Sequence, residues 1–430
     1  MELSKQQQYR IRWGALDQEF ASWRDHYKDL SDFMMPRSGR FFITDRNKGA
    51  KRHGKIINET ATRALRVLAA GLQAGVTSSV RPWFMLDVDK AYGLGDNANV
   101  KAWLNSVTDT MRAIFSRSNT YRALHSMYEE LGCYGTASSL VLHDFDDVVR
   151  HYPSTCGEYR VSTNHRGEVN AQYRRFDMTV SQIVGEFVRQ SDGSLDWSKA
   201  TQTVKNLWDG GRGLDSWVTV LHVIEPRDDR DRDLRSPLAK NMRYASCYIE
   251  DAANNDKTYL RESGFKRYPV LNPRWHTSGG DIYGNSPGME ALGSTKQLQH
   301  GESRKSLAID YAVKPPLQMP SALKNMPLST LPGGSAYFDS TGPQNTIRSM
   351  FDVKLDINAQ RADIEAIEKR INQTMYVDLF LMLAQDTRSG TTAREIAERH
   401  EEKLLMLGPV LERLHDELLK PYIDITFDRM

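Results

Sequence analysis

The first residues to test for chemistry are His400 and Glu401, in the segment RHEEKL (399–404). A zinc-protease helix needs a second histidine four residues after the first, so that both imidazoles share one face and the glutamate serves as base. Leu404 occupies that position, so His400 and Glu401 read as solvated side chains, and His415 further along reads the same way. Ser286 lies in GNSPG (284–288), whose surroundings give no support to a nucleophile elbow. The sequence contains neither the Gly-x-x-x-x-Gly-Lys-Ser/Thr loop that cradles phosphates nor Gly-x-Gly-x-x-Gly, so no nucleotide-driven motor is expected. The carboxylates fall into no metal-ligand spacing. Cys133, Cys156 and Cys247 are far apart and odd in number, which fits a reducing compartment without a disulfide framework. The expectation is a protein that is not an enzyme, with no metal and no cofactor.

A second stretch is polar for a different reason. QDTRSGTT (385–392) interrupts an apolar run, LFLMLA, and a strongly charged helical pattern that starts at once. Such a loop, with one arginine and one glycine, must be positioned by the long elements around it. The chain of 430 residues is long enough for two to three domains, and 26% charged residues are ordinary for a globular protein. A net charge of +2 argues against tight nucleic-acid binding over the whole surface. The N-terminus is polar from the start, unlike a signal peptide, and the longest apolar run is under half a membrane span. The reading is a soluble, cytosolic, multidomain protein.

The elements follow from periodicity. Residues 4–35 read as a helix stopped by Pro36, followed by a basic loop. Asn58 caps a second helix with Ala61, Leu65, Leu68 and Leu72 on one face and Gly75 at its end. VRPWFMLDV (80–88) reads as a strand, and helices follow at about 98–117 and 119–132. From about 137 to 275 the pattern is β, with short β-branched and aromatic strands, a hairpin turn at NHRG and two short helices. Ser286 and Pro287 open a long helix that runs to about 312. A proline- and glycine-rich insert follows, in which long helices are excluded. A second long helix carries a narrow stripe, Ile357, Ile364, Ile367, Ile371 and Met375, at heptad-like spacing. A third begins with the capping box Thr392/Glu395, with Ile396, Leu404, Leu407, Leu411, Leu414 and Leu418 as its buried seam and Pro409 as a kink.

Three blocks, WRDHYKDLSDFMMPRSGRF (23–41), LRVLAAGLQAGVTSSVRPWFML (65–86) and YPVLNPRWHTSGGDIYGNSPGMEALGSTKQLQ (268–299), resemble the portal, or head-to-tail connecting, proteins of short-tailed bacteriophages. With the order of elements, the likeness extends over nearly the whole chain. It implies an α+β subunit of a ring, usually of twelve copies, at one capsid vertex of the virion, assembled in the host cytoplasm. On that pattern 1–285 is a wing of helices and β-structure, 286–312 and 354–378 are two stem helices and 313–353 is a clip. Residues 379–391 are then a tunnel loop and 392–430 a long wing helix with the start of any crown. Family members continue past that helix into a crown, whereas this sequence reaches PYIDITFDRM there.

The resemblance also implies roles. The loop and its neighbours, Gln385, Asp386, Thr387, Arg388, Ser389, Gly390, Arg394 and Lys403, would face the DNA channel, with Arg388 the foremost phosphate contact and Gly390 a joint. Lys314, Lys324 and Arg348 would be basic points on the clip. Ile357, Ile364, Ile367 and Ile371 would form the stem seam. Implied partners are further copies of the chain, double-stranded DNA, the large terminase, tail adaptor proteins, and the major capsid and scaffolding proteins, with no membrane. In 354–378 four basic residues (Lys354, Arg361, Lys369, Arg370) face five acidic ones (Asp356, Asp363, Glu365, Glu368, Asp378), a balance that suits a wall past which DNA slides. The competing reading is a non-pore oligomer that coats or scaffolds nucleic acid. That protein should be more basic and interleave aromatics with Lys/Arg, of which YRRF (173–176) and FKRYP (265–269) are weak examples.

Overall fold

Ser4 opens the first helix with a reciprocal cap: its hydroxyl accepts from the Gln7 amide, and the Gln7 side chain accepts from the Ser4 amide. The computed structural model describes residues 3–41, 52–88, 97–228, 238–251, 258–320, 335–338, 348–349, 357–385 and 407–430. Helix α1 (Lys5–Met34) is followed by α2 (Thr60–Val76), α3 (Ala98–Arg117) and α4 (Thr120–Tyr134). Gly75, expected at the end of α2, lies inside its last turn, and the Thr77 amide closes the helix on the Gln73 carbonyl. The cap position falls on Glu59, one residue later than the expected Asn58 and without a side-chain bond, while the Asn58 Oδ1 accepts from the amide and hydroxyl of Thr60 just before the first turn (2.9 and 2.6 Å).

The segment 80–88, read as a strand, forms no ladder. Trp83 and Phe84 instead lie against Phe115 of α3, at ring distances of 5.9 and 5.7 Å, and the Leu86 amide bonds the Thr108 hydroxyl. Trp83 and Phe84 are half-buried on a helix surface, Val80 and Met85 are exposed, and Pro82 has no amide to give to a sheet.

The β part contains two sheets. In the smaller, β1 (Ser138–Asp144) lies between β2 (Val148–Ser154) and β8 (Val270–Leu271), both antiparallel to it. Sequence reading missed β2; its Pro153 fits an edge strand. The larger sheet is antiparallel throughout, in the order β3 (Tyr159–Thr163), β4 (Val169–Thr179), β5 (Trp217–Pro226), β6 (Tyr244–Glu250), β7 (Arg261–Phe265). NHRG turns β3 into β4, with Gly167 at φ 78°. A short α5 (Val180–Ile183) runs into a π turn and, with α6 (Gln202–Asp209), covers one face around Val180, Val184, Val204 and Val220. Tyr9, Trp13 and Leu16 of α1 cover the other face.

The largest core joins α1–α4, the small sheet and the later helices. Leu30, Met34, Leu68, Leu72 and Tyr128 are inaccessible to solvent there. Each such side chain contributes about 1.5–3 kcal/mol of burial.

Candidate channel-forming helix pair

Helix α7 (Pro287–Val313) takes its direction from α4. Ser286 accepts from the Met289 amide (3.0 Å) and donates to the Cys133 carbonyl (2.7 Å), so the residue that caps one helix also takes up a carbonyl left open at the end of the other. This close approach excludes side chains. A Cβ on Gly288 would lie 2.8 Å from the Cys133 oxygen, and Gly135, which ends α4 at φ 75°, abuts the Gly284 backbone. Beyond this root, Ala291, Leu292, Thr295, Leu298 and Gln299 are buried.

The second rod, α8 (Ile357–Thr374), packs on α7 and α2. Ile364, Ile367 and Ile371 are buried, together with Met375 just beyond, and Ile357 begins the helix. These buried seam residues lie in the chain's own core, so they are not a surface left open for a neighbour. A polar knot ties the pair to α2. The Gln299 Oε1 accepts from the amides of Ile57 and Asn58 (2.6 and 2.9 Å), and its Nε2 donates to the Asn58 carbonyl (2.8 Å). The Asn58 Nδ2 in turn donates to Glu368 of α8 (2.9 Å) and Glu302 of α7 (3.3 Å).

Past this knot α7 changes character. From residue 300 on none of its positions is buried, and Leu307, Ile309 and Val313 are 47, 38 and 71% exposed. The start of α8 is polar (Asn358, Gln360, Arg361, Asp363). Lys314, exposed, follows directly. The insert contributes a third sheet in which β9 (Leu317–Pro320) lies between a parallel β10 (Ser335–Phe338) and an antiparallel β11 (Arg348–Ser349). Arg348 stands opposite Gln318 in that register, and Lys324 lies outside the described residues.

The chain leaves α8 by a corner at Tyr376, whose φ of 56° is rare for a residue with a side chain. Trp275 lies 6.1 Å from the Tyr376 ring. The next helix, α9 (Val377–Gln385), lays Phe380 on Gly71 of α2, where a Cβ would run into the ring. Residues 379–385 of the expected tunnel loop are therefore helical, with Gln385 the last of them. Leu379 and Phe380 join the main core. Asp386, Thr387, Arg388, Ser389, Gly390, Arg394 and Lys403 lie outside the described residues, as do Thr392, Glu395, Ile396 and Leu404.

The return rod is described from Leu407. Its helix α10 (Gly408–Leu414) has Pro409 in the first turn, where a missing amide costs nothing, so among the described residues Pro409 starts a helix and kinks none. The irregularity comes at a π turn, His415–Leu419, just before α11 (Lys420–Arg429). Pro421 has no amide for the Glu417 carbonyl, and the wider turn accommodates that loss. Glu417 sits in this turn and holds Arg274, which is almost wholly buried, at 2.6 Å; a second bond reaches the Arg274 amide at 2.8 Å. Tyr422 stacks on Phe115 and bonds the Thr120 hydroxyl. Arg274 was invisible to sequence reading because its partner lies far along the chain. The flanking Pro273 and Trp275 gave the only local sign of an unusual site.

A buried acid at the end of α4 was also missed. Glu130 accepts from the hydroxyls of Ser38 and Thr155 and from the Cys156 amide (3.0 Å). Burial pushes its carboxyl up to about 7, against these three donors. It fastens the turn after α1 to the turn after β2.

Among the described residues no group of three His, Cys, Asp or Glu side chains converges on one point, and no helix is long and apolar enough to cross a membrane. The sequence model of one family, described as bacteriophage head to tail connecting protein, matches residues 6–430. The chain is 54% identical over 419 residues to a probable portal protein of Bordetella phage BPP-1, covering 97% of this chain and 73% of that one. It is 40% identical over 416 residues to a portal protein of Salmonella phage epsilon15, covering 96 and 72%. Solved structures of the virion of a native gene transfer agent particle and the neck of an empty one overlap 85 and 83% of the chain, and it covers 78 and 75% of theirs. Identity is 10% in both, with TM-scores of 0.31 and 0.34.

Proposed function

The chain belongs to the bacteriophage head to tail connecting protein family, and from that premise we propose that it is a portal protein. It is one subunit of a ring, usually of twelve, at a capsid vertex, through whose axis double-stranded DNA passes during packaging and ejection. The observation that carries this reading is the division of α7. Its root is fixed in the body by Ser286 and Gln299, while its outer turns stand clear with Leu307, Ile309 and Val313 in solvent. Apolar residues left exposed on the outer turns of a long helix suit a neighbour related by rotation, an interface that closes into a ring.

The rods carry little net charge. Residues 300–313 have Arg304 and Lys305 against Glu302 and Asp310, and 357–374 have Arg361, Lys369 and Arg370 against Asp363, Glu365 and Glu368. Phosphate affinity grows with each cation that displaces counterions, so a balanced wall lets the duplex slide. Contact with phosphate then falls to the segment after α9, where Arg388 is the foremost residue, Arg394 and Lys403 stand second, and Asp386 to Gly390 form the projecting loop. The insert after Lys314 is the clip. Lys314, Lys324 and Arg348 are its docking points for the terminase and then for tail adaptors, and the wing meets capsid and scaffolding proteins. The absence of a phosphate-loop motif in the sequence supports a division of labour in which the terminase supplies the energy.

The test replaces the projecting apolar residues. Leu307→Asp with Val313→Asp leaves the circular dichroism of the chain unchanged and converts the sedimenting ring to monomer. A ring of unchanged mass in this variant would overturn the assignment of that face.

A further inference from the structure

The hairpin between β1 and β2 ends in HDFDDV (143–148) and does something no fold requires. Phe145 is 97% exposed and touches only the edge of the His143 ring, at 5.1 Å. A fully solvated phenylalanine is uncommon, and at the tip of a protruding hairpin it has no core to reach. The tip is held in shape. The Asp144 Oδ1 accepts from the amides of Asp146 and Asp147 at 2.9 and 3.0 Å, and these two bonds hold its carboxyl below the usual carboxylate range. The Val149 amide closes on the Asp147 carbonyl at 2.8 Å across Val148, whose φ is 68°. A three-residue turn with positive φ is a strained form, and a β-branched residue is the worst suited to it. Backbone strain retained beside an exposed aromatic, on a turn already fixed by two side-chain bonds, is the pattern of a preorganised anchor.

Three carboxylates, Asp144, Asp146 and Asp147, share this tip with Phe145, and Arg150 and His143 lie near Asp144. The charge fixes the kind of partner. We propose that this hairpin is a docking finger for a different protein, whose socket is an apolar pocket rimmed by lysine or arginine. A second copy of the chain fits less well. Its open cleft of about 730 Å³ between the 166–169 turn and the last helix is lined by five cations and five carboxylates. Arg274 with Glu417, and Arg267 with Asp424, are already paired there. An acidic tip gains nothing from such a lining. The inference rests on the portal reading in one respect, that the assembled particle supplies the partner.

The experiment puts the photo-crosslinker p-benzoylphenylalanine at position 145 of the full chain in cells assembling particles, with the adducts mapped by mass spectrometry. The expected result is one dominant peptide from another protein, with basic residues beside apolar ones, lost when Asp146→Lys and Asp147→Lys are added. Adducts on a second copy of this chain, or a yield no higher than from the same crosslinker at exposed Met85, would overturn it. Phe145→Ser, at a solvated site, folds normally and should lower incorporation into particles about tenfold, the loss expected for an aromatic anchor. Unchanged incorporation counts against the finger. The native mass of the unsubstituted assembly and of the one carrying the crosslinker is read alongside: a ring with no adduct refutes the finger alone, whereas the absence of any ring from the unsubstituted chain refutes the portal reading.

Discussion

Glu130 is an acid that burial has moved far from its ordinary state. A carboxyl whose pKa is higher folded than unfolded gives up stability as pH climbs. Its contribution is complete below about 4.5 and gone above about 7. At about 1.4 kcal/mol per unit, the difference across that window is up to about 3 kcal/mol. His151 slopes the other way: burial lowers its pKa to about 3, so its contribution is present above 6.5 and lost as pH falls toward 3. Glu130→Gln isolates the first effect. The melting temperature of the wild type relative to this variant should fall between pH 5 and pH 8, and parallel profiles would mean that Glu130 is ionised throughout. None of this was legible in the sequence, where Glu130 is one acid in YEELGCY. Its partners Ser38 and Thr155 come from distant turns, and local patterns carry no information about which distant groups meet. Ser286 was legible, because a cap acts on the residues next to it.

At the scale of elements, the long rods were the easiest to read and the joints between them the hardest. Apolar spacing placed α7 to within one residue and α8 to within three or four, because a buried face repeats with the helix. The same spacing could not show that LFLMLA is a separate helix after a corner at Tyr376, since the run is apolar on either reading. For 80–88 the strand reading was wrong: Trp83, Phe84 and Leu86 meet α3 and no strand. Two predictions belong here. Gly71→Ala drives a methyl into Phe380 and should cost about 1–3 kcal/mol in denaturant unfolding, a cost that largely disappears when the same change is made in a Phe380→Ala background. A full cost in that background would mean that α9 is not seated on α2. Glu417→Gln leaves the Arg274 cation buried without its counter-charge, and should lower stability by about 3–5 kcal/mol. Arg274→Met with Glu417→Leu should cost less than the single change, and equal losses would deny the pair its role in holding the last helix.

For the whole molecule the account combines a near-neutral chain with a long, partly uncovered helix pair. Balanced rods imply that DNA contact is concentrated in few residues. Arg388→Ala should therefore leave assembly intact and lower packaging yield or retention, and normal yield would reject its part in the channel. The order of long helices, insert and second rod was legible in sequence, because each leaves a compositional mark over many residues. The closing of a ring was not, because symmetry depends on surfaces that one chain does not display as a pattern. The most direct measurement is electron microscopy of the purified assembly, joined to its native mass. The account predicts a closed ring with an axial hole wide enough for duplex DNA, α7 and α8 around that hole, and the 386–406 segment directed at the axis. Compact monomers, open filaments, or a ring with these rods turned to the outside would contradict it.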